Sequence, residues 1–225
     1  MKAIGINGSP RKGWNTETLV SKALEGAASA GAETELIQLY AEPLKGCLEC
    51  FACKRKGNKT DGLCTIRDNM RPLLEKTLAA DVIIIGSPNY FGYPSGMIRS
   101  FLERFLYPLT SYQIGENGEQ IRILGKRIIP AGMIFTMNAN NHFYGAMNYE
   151  ATLGSTTHTL EYLLGYAEQY NSLDTLQFKD YSVMEANRFD AAEKKHHHET
   201  QFPIDEQKCF EMGVRLVEKA KSMAL

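Results

Sequence analysis

The chain has 225 residues, enough for one sizeable α/β domain around a single core. At 44% hydrophobic and 23% charged residues, its composition is that of an ordinary soluble globular protein. A formal net charge of −1 leaves no electrostatic footprint for nucleic acid and argues against a small acidic carrier that docks by charge.

In chain order, residues 2–7 read as a short buried strand and 8–13 as a loop punctuated by Gly, Ser and Pro. Met1 and Lys2 run straight into that strand, so no signal peptide is expected and the cytoplasm is the default compartment. Asn15 or Thr16 caps a helix to about residue 30, with Leu19, Ala23 and Leu24 facing inward and Gly31 ending it. Residues 35–39 make a second strand. A helix over 68–79 places Met70, Leu73, Leu74 and Leu78 at helical spacing. The run Val82-Ile83-Ile84-Ile85-Gly86 is continuous and β-branched, as a parallel strand covered on both faces requires. A loop at 87–93 leads to a helix at 95–105. A fourth strand at 127–135 is irregular at Pro130. A helix at 149–165, a fifth strand at 173–178 and a terminal helix at 204–223 follow. No apolar run is long enough to span a bilayer, so no membrane partner is expected.

Strands alternating with helices predict a doubly wound parallel sheet in three layers. One domain over 1–225 is expected. It carries a cysteine-rich loop at 47–64 and a polar insertion at about 106–126, which forms a hairpin or a partner-facing arm. Cys209, in an apolar helical pattern, is expected to be buried. His196, His197 and His198 are adjacent and share no face, so they read as solvated surface.

The loop Gly8-Ser9-Pro10-Arg11-Lys12-Gly13-Trp14-Asn15-Thr16 leaves a strand and enters a helix. Free N–H groups and the helix dipole favour an anion at such a turn. Ser9, Asn15, Thr16 and Thr18 supply neutral donors, and Arg11 and Lys12 supply charge. The loop is neither a Walker A sequence nor G-x-G-x-x-G, which leaves a terminal monophosphate as its natural guest. The alternative is a plain strand-to-helix turn with a capping residue.

Gly8-Ser9-Pro10-Arg11 with Asn15-Thr16 resembles the opening motif of the NADPH-dependent FMN reductase family. The likeness continues in Gly86-Ser87-Pro88-Asn89-Tyr90-Phe91-Gly92, Ser95-Gly96-Met97 and Phe101-Leu102-Glu103-Arg104, and covers roughly residues 1–140. It implies a flavodoxin-like five-stranded sheet in the order 2-1-3-4-5, with FMN as cofactor. The phosphate would lie on the first loop. Pro88, Asn89, Tyr90, Phe91 and Gly92 would lie against the flavin ring, offering backbone N–H groups and an aromatic for stacking. The third loop, with Thr136 and Asn138, would close over the ring or ribityl chain. All three loops are expected at the carboxyl edge of the sheet, where open α/β folds bind ligands. NADH or NADPH would then serve as co-substrate and a small molecule as electron acceptor, in a homodimer or homotetramer.

Cys47, Cys50 and Cys53 follow the pattern C-x2-C-x2-C, and Cys64 comes ten residues later. Thiols at this spacing can wrap an iron–sulfur cube. The segment resembles the iron-sulfur flavoproteins, which couple a [4Fe-4S] cluster to FMN in this same fold. There the fourth cysteine generally follows sooner, and here residues 54–62 lengthen the gap. Tetrahedral zinc or free, redox-active thiols remain open alternatives. Three functions are thus in view: a flavin oxidoreductase, an iron–sulfur electron carrier fed by a ferredoxin-like donor, and a non-catalytic FMN module whose cysteines sense oxidants.

Overall fold

The structure is a computed structural model that describes residues 1–57 and 62–223. Its elements run β1 (Lys2–Asn7), α1 (Asn15–Ser29), β2 (Glu33–Gln38), α2 (Met70–Ala79), β3 (Val82–Tyr90), β4 (Tyr93–Pro94), α3 (Gly96–Leu106), β5 (Ala131–Thr136), α4 (Asn141–Ala146), α5 (Tyr149–Leu164), β6 (Ala167–Ser172), α6 (Ala191–Thr200) and α7 (Phe202–Met223). The sheet order is β2-β1-β3-β5-β6, with every neighbouring pair parallel. Strand β4 pairs antiparallel with the end of β3. Counting the five parallel strands alone, this is the expected order 2-1-3-4-5.

Alternate residues of the central strands point to opposite faces. Ala3, Val82, Ile84 and Ile134 pack under α1 and α7, against Leu19, Val20, Ala23, Met212, Leu216 and Val217. Ile4, Ile6, Ile83, Ile85, Met133 and Phe135 pack on the other face against α2, α3 and α5. Helices α1 and α7 touch through backbone: a Cβ at Gly213 would stand 1.8 Å from the Ala23 carbonyl oxygen, and one at Gly26 would stand 1.9 Å from that of Phe210. Cys209 is fully buried in this layer, as expected, and burial pushes its thiol pKa up.

Several boundaries differ from expectation. The fifth strand is β6 at Ala167–Ser172, not 173–178. Its sequence, AEQYNS, lies at the sheet edge and is mostly half-buried, so it carries no apolar run for a pattern to find. Helix α5 hands over to it through Gly165, whose φ of 96° closes the helix. Residues 173–178 instead form a strap across the carboxyl edge of the sheet. The amide of Asp174 donates to Ala139 and that of Thr175 to Met137, at 2.8 and 2.9 Å. Helix α1 is capped by neither Asn15 nor Thr16: its N-cap is Trp14, with no side-chain cap. Strand β5 starts at Ala131, directly after Pro130, and not at 127.

Strand β3 runs past the expected end at Gly86 to Tyr90 and turns back at once into β4. The two turn residues, Phe91 and Gly92, have φ of 56° and 87°, the pattern of a type I′ hairpin. The insertion is a hairpin in part, with an antiparallel bridge between Ile114 and Gln120. Residues 187–203 contain α6. On it His196 is exposed as expected, whereas His197 and His198 are half-buried and His198 stacks on Phe202. Among the described residues, no helix is long and apolar enough to cross a membrane.

Candidate functional site

The loops after β1, β3 and β5 all leave the carboxyl edge of the sheet, as registers Asn7 to Gly86 and Pro88 to Thr136 require. The first loop is tied down internally. Gly8 donates its amide to the Gly86 carbonyl at 2.8 Å, and its own carbonyl accepts from the Ser95 hydroxyl at 2.7 Å. Ser9 donates its amide to the Asn7 side chain, and its hydroxyl accepts from the Arg11 amide. The carboxylate of Glu17 accepts from the Gly13 amide at 2.8 Å.

Of the predicted phosphate donors, Ser9, Asn15 and Thr16 are buried in the loop, and Arg11 and Lys12 are exposed at its rim. The Thr16 hydroxyl shares a 2.7 Å hydrogen bond with that of Thr136, joining the first loop to the third. Thr18 turns its hydroxyl back on the Trp14 carbonyl, within the first turn of α1. Arg11 lies over the Trp14 ring at 4.1 Å and donates to the Gln177 carbonyl at 2.7 Å. Asn15 donates to the Leu176 carbonyl at 2.9 Å. Thus the strap at 173–178 is fastened to both loops. The Trp14 indole Nε1–H is a buried donor without a partner.

Beyond the strap lies a cavity of about 540 Å³, bounded by Asn89, Tyr90 and Phe91, by Met137, Asn138, Ala139 and Asn140, and by Phe143 and Tyr149. Asp174, Gln177, Arg188 and Phe189 complete the wall. Asn89 fixes the hairpin, its side-chain oxygen accepting from the Gly92 amide at 2.8 Å. Asn138 donates to the Gln177 side chain at 2.7 Å, and its own oxygen is buried without a donor. Burial pushes the Tyr90 phenol pKa up, so the group stays neutral. Pro88 and Gly92 support the hairpin and do not line the cavity. The sequence pattern misses Asp174, Gln177, Arg188 and Phe189. They lie in irregular chain beyond β6, where no spacing marks them.

The four clustered cysteines line one small cavity together with Phe51, Thr65, Ile66, Glu103, Arg104, Tyr107 and Pro108. All four are free thiols; Cys47 and Cys50 are exposed, Cys53 half-buried and Cys64 buried. Left-handed backbone at Glu49 and Phe51, with φ of 54° and 53°, curls the C-x2-C-x2-C run. The Cys47 amide donates to Glu103 at 3.1 Å, and the Lys54 ammonium donates to the Tyr107 and Pro108 carbonyls. Burial pushes the Cys53 thiol pKa up, with Lys54 opposing. Among the described residues, no group of three or more His, Cys, Asp or Glu is placed to hold a single metal ion. One tetrahedral zinc would need its sulfurs roughly 3.8 Å apart, given Zn–S bonds of about 2.3 Å. A cubane asks less proximity of its thiols, since each binds a different iron.

A doubly wound, flavodoxin-like sheet whose first and third loops are joined beside an aromatic cavity is the architecture these observations define. The chain belongs to the NADPH-dependent FMN reductase family, whose sequence model matches residues 1–127. It is 43% identical over 104 residues to an iron-sulfur flavoprotein of Methanocaldococcus jannaschii, covering 46% of this chain and 51% of that protein. It is 32% identical over 103 residues to an FMN-dependent NADPH-azoreductase of Staphylococcus aureus, again 46% of this chain and 51% of that one. The chain thus spans about half the length of the curated relatives it matches. In fold it resembles an NAD(P)H:quinone oxidoreductase from Methanothermobacter marburgensis, with a TM-score of 0.66 and 14% identity over 96% of both chains. It also resembles an FMN-dependent NADH-azoreductase from Bacillus anthracis in complex with FMN, with a TM-score of 0.60 and 14% identity over 96% of this chain and 99% of that one.

Proposed function

We propose that the chain is an FMN-dependent oxidoreductase that takes hydride from NADH or NADPH and delivers electrons to a small acceptor. The observation that carries this is the arrangement at the sheet edge. An uncapped helix start, with a buried unpaired donor at Trp14, stands one strap away from a cavity walled by aromatic rings.

The residues fit the cofactor from end to end. Ser9, Arg11, Lys12, Asn15, Thr16 and Thr18 surround the start of α1, where the phosphate is favoured by the helix dipole. Arg11 commits Nη1 to Gln177 and keeps further N–H groups for an anion. Tyr90 and Phe91 present rings at the cavity; Phe91 is 91% exposed and held in left-handed backbone, a costly arrangement unless a ligand uses it. Pro88, Asn89 and Gly92 shape that hairpin. The unpaired oxygen of Asn138 suits the ring N–H of a flavin, and Thr136 anchors the third loop to Thr16. FMN, when bound, supplies the hydride and electron chemistry. The protein's part is to bind, orient and shield it, so no side-chain acid or base is needed.

The shared cysteine cavity favours a second element: a [4Fe-4S] cluster on Cys47, Cys50, Cys53 and Cys64, with a ferredoxin-like protein as electron donor. Helix α3 supports both sites. Ser95 at its start holds the phosphate loop, and Glu103 and Arg104 near its end hold the cysteine loop. Its 11 residues span about 16 Å between these two supports. Assembly as a homodimer or homotetramer would cover the exposed Tyr112 and Ile114 of the insertion. The test is an absorbance spectrum of anaerobically purified protein, with iron and acid-labile sulfide assays. Bound flavin with iron and sulfide is expected. Flavin alone removes the cluster, and protein that cannot be loaded with FMN removes the whole proposal.

A further inference from the structure

Arg104 is a fully buried arginine on α3, in the wall of the cysteine cavity. Its two terminal nitrogens make a bidentate pair with Asp68, at 2.6 and 2.9 Å. The same nitrogens donate to the Lys45 carbonyl at 3.2 Å and the Ile66 carbonyl at 3.3 Å. Lys45 lies just before Cys47 and Ile66 just after Cys64, so one guanidinium ties both ends of the cysteine loop to α3. Four of its five N–H groups are thereby spent. The fifth, on Nε, is buried without a partner.

The charge balance is also specific. Arg104 carries its charge in a fully buried position, paired with Asp68 and sharing the cavity wall with Cys64. Lys54, the neighbouring cation, has its ammonium turned away onto carbonyls at 107 and 108. A buried cation ordinarily has one buried counter-ion, but Asp68 is one-third exposed and partly solvated. A cluster carrying four thiolates is net negative and would supply the remaining countercharge, and its sulfur atoms are acceptors for an N–H.

We propose that Arg104 is the positioning and charge-balancing residue of the cysteine site, built to face an anionic metal–thiolate centre through its unspent Nε–H. This rests on the reading of the four cysteines as ligands of a common cluster. Two roles follow. The hydrogen bonds to Lys45 and Ile66 hold the two flanks of the cysteine segment against α3. The positive charge favours the reduced cluster, which carries one more electron, and so raises its reduction potential.

The test compares wild type, Arg104→Met and Asp68→Asn, each purified anaerobically, for FMN, iron and sulfide content and for the midpoint potential of the cluster by electron paramagnetic resonance. Arg104→Met should keep its FMN, lose several-fold in iron and sulfide, and leave any remaining cluster with a lower potential. Asp68→Asn removes a negative charge and keeps the arginine, so the potential should move upward. Opposite shifts are not expected of a merely structural pair. If Arg104→Met fails to fold, the direction of the Asp68→Asn shift still decides. An Asp68→Asn potential that is unchanged or lower overturns the role of Arg104, as does full, unshifted cluster in Arg104→Met. Wild type that carries FMN but neither iron nor sulfide overturns the cluster reading itself, and this proposal with it.

Discussion

The hydroxyls of Thr16 and Thr136 share a buried 2.7 Å hydrogen bond, although 120 residues separate them. Through it the start of α1 and the end of β5 are held in one rigid unit. Thr16→Val keeps the shape but strands the Thr136 hydroxyl. Such a loss costs about 1–3 kcal/mol. Urea unfolding should show a lowered midpoint at unchanged slope, with weaker FMN binding in the folded protein; an unchanged midpoint would contradict a structural role for the pair.

Arg11, exposed at the rim of the loop after β1, is proposed as a charged donor to the FMN phosphate. Charge-assisted hydrogen bonds contribute about 1.5–3 kcal/mol each. Arg11→Ala should therefore raise the Kd for FMN about tenfold or more, by fluorescence quenching. Binding of riboflavin, which lacks the phosphate, should be little affected. Equal losses for both ligands would place Arg11 elsewhere than at the phosphate.

Gly213 and Gly26 let α1 and α7 meet through their backbones. No flexible side chain stands there to give way, so Gly213→Ala must push the helices apart. Overpacking of this kind costs about 1–3 kcal/mol. Thermal unfolding should report that loss, while the affinity of the folded fraction for FMN stays within experimental error, because α7 does not reach the cavity. A fully stable Gly213→Ala protein would mean that the two helices pack differently.

The Arg104 guanidinium holds the Asp68 carboxyl below its usual range, chiefly through their hydrogen bond. A depressed folded-state pKa stabilises the fold above the unfolded value of about 3.9, and that contribution is lost as pH falls through the lower folded value. Asp68→Asn should consequently be less stable than wild type at neutral pH, with the difference shrinking in acid below about pH 4. A difference that stays constant from neutral pH into acid would show that ionisation of Asp68 contributes nothing.

The exposed Tyr112 and Ile114 of the insertion suit a second copy of the chain. Light scattering of the FMN-loaded protein should give a mass at least twice 25.2 kDa. A monomer at micromolar concentration would mean that these side chains stay in water.

The sequence made the central strands plain, because Val82-Ile83-Ile84-Ile85 can only be covered on both faces, and it placed α7 to within two residues. It misplaced the edge strand β6, whose AEQYNS has no apolar signal, and assigned its role to the strap beyond it. Tyr90 and Asn138, proposed for the flavin, do line one cavity, since short loops after regular strands have little freedom. Gln177 and Arg188, and the role of Arg104 within its motif, were invisible for a different reason. They reach their sites through long-range contacts, and no local spacing encodes a bond such as that from Arg104 to Asp68, 36 residues away.

The central claim is tested most directly by titrating the FMN-loaded protein with NADPH, and separately with NADH, in the absence of oxygen, while following the flavin absorbance. About one equivalent of at least one of the two nucleotides should bleach the flavin, and added quinone or azo dye should restore the oxidised spectrum. A flavin that binds at the loop but stays oxidised in the presence of excess NADPH and NADH would contradict it.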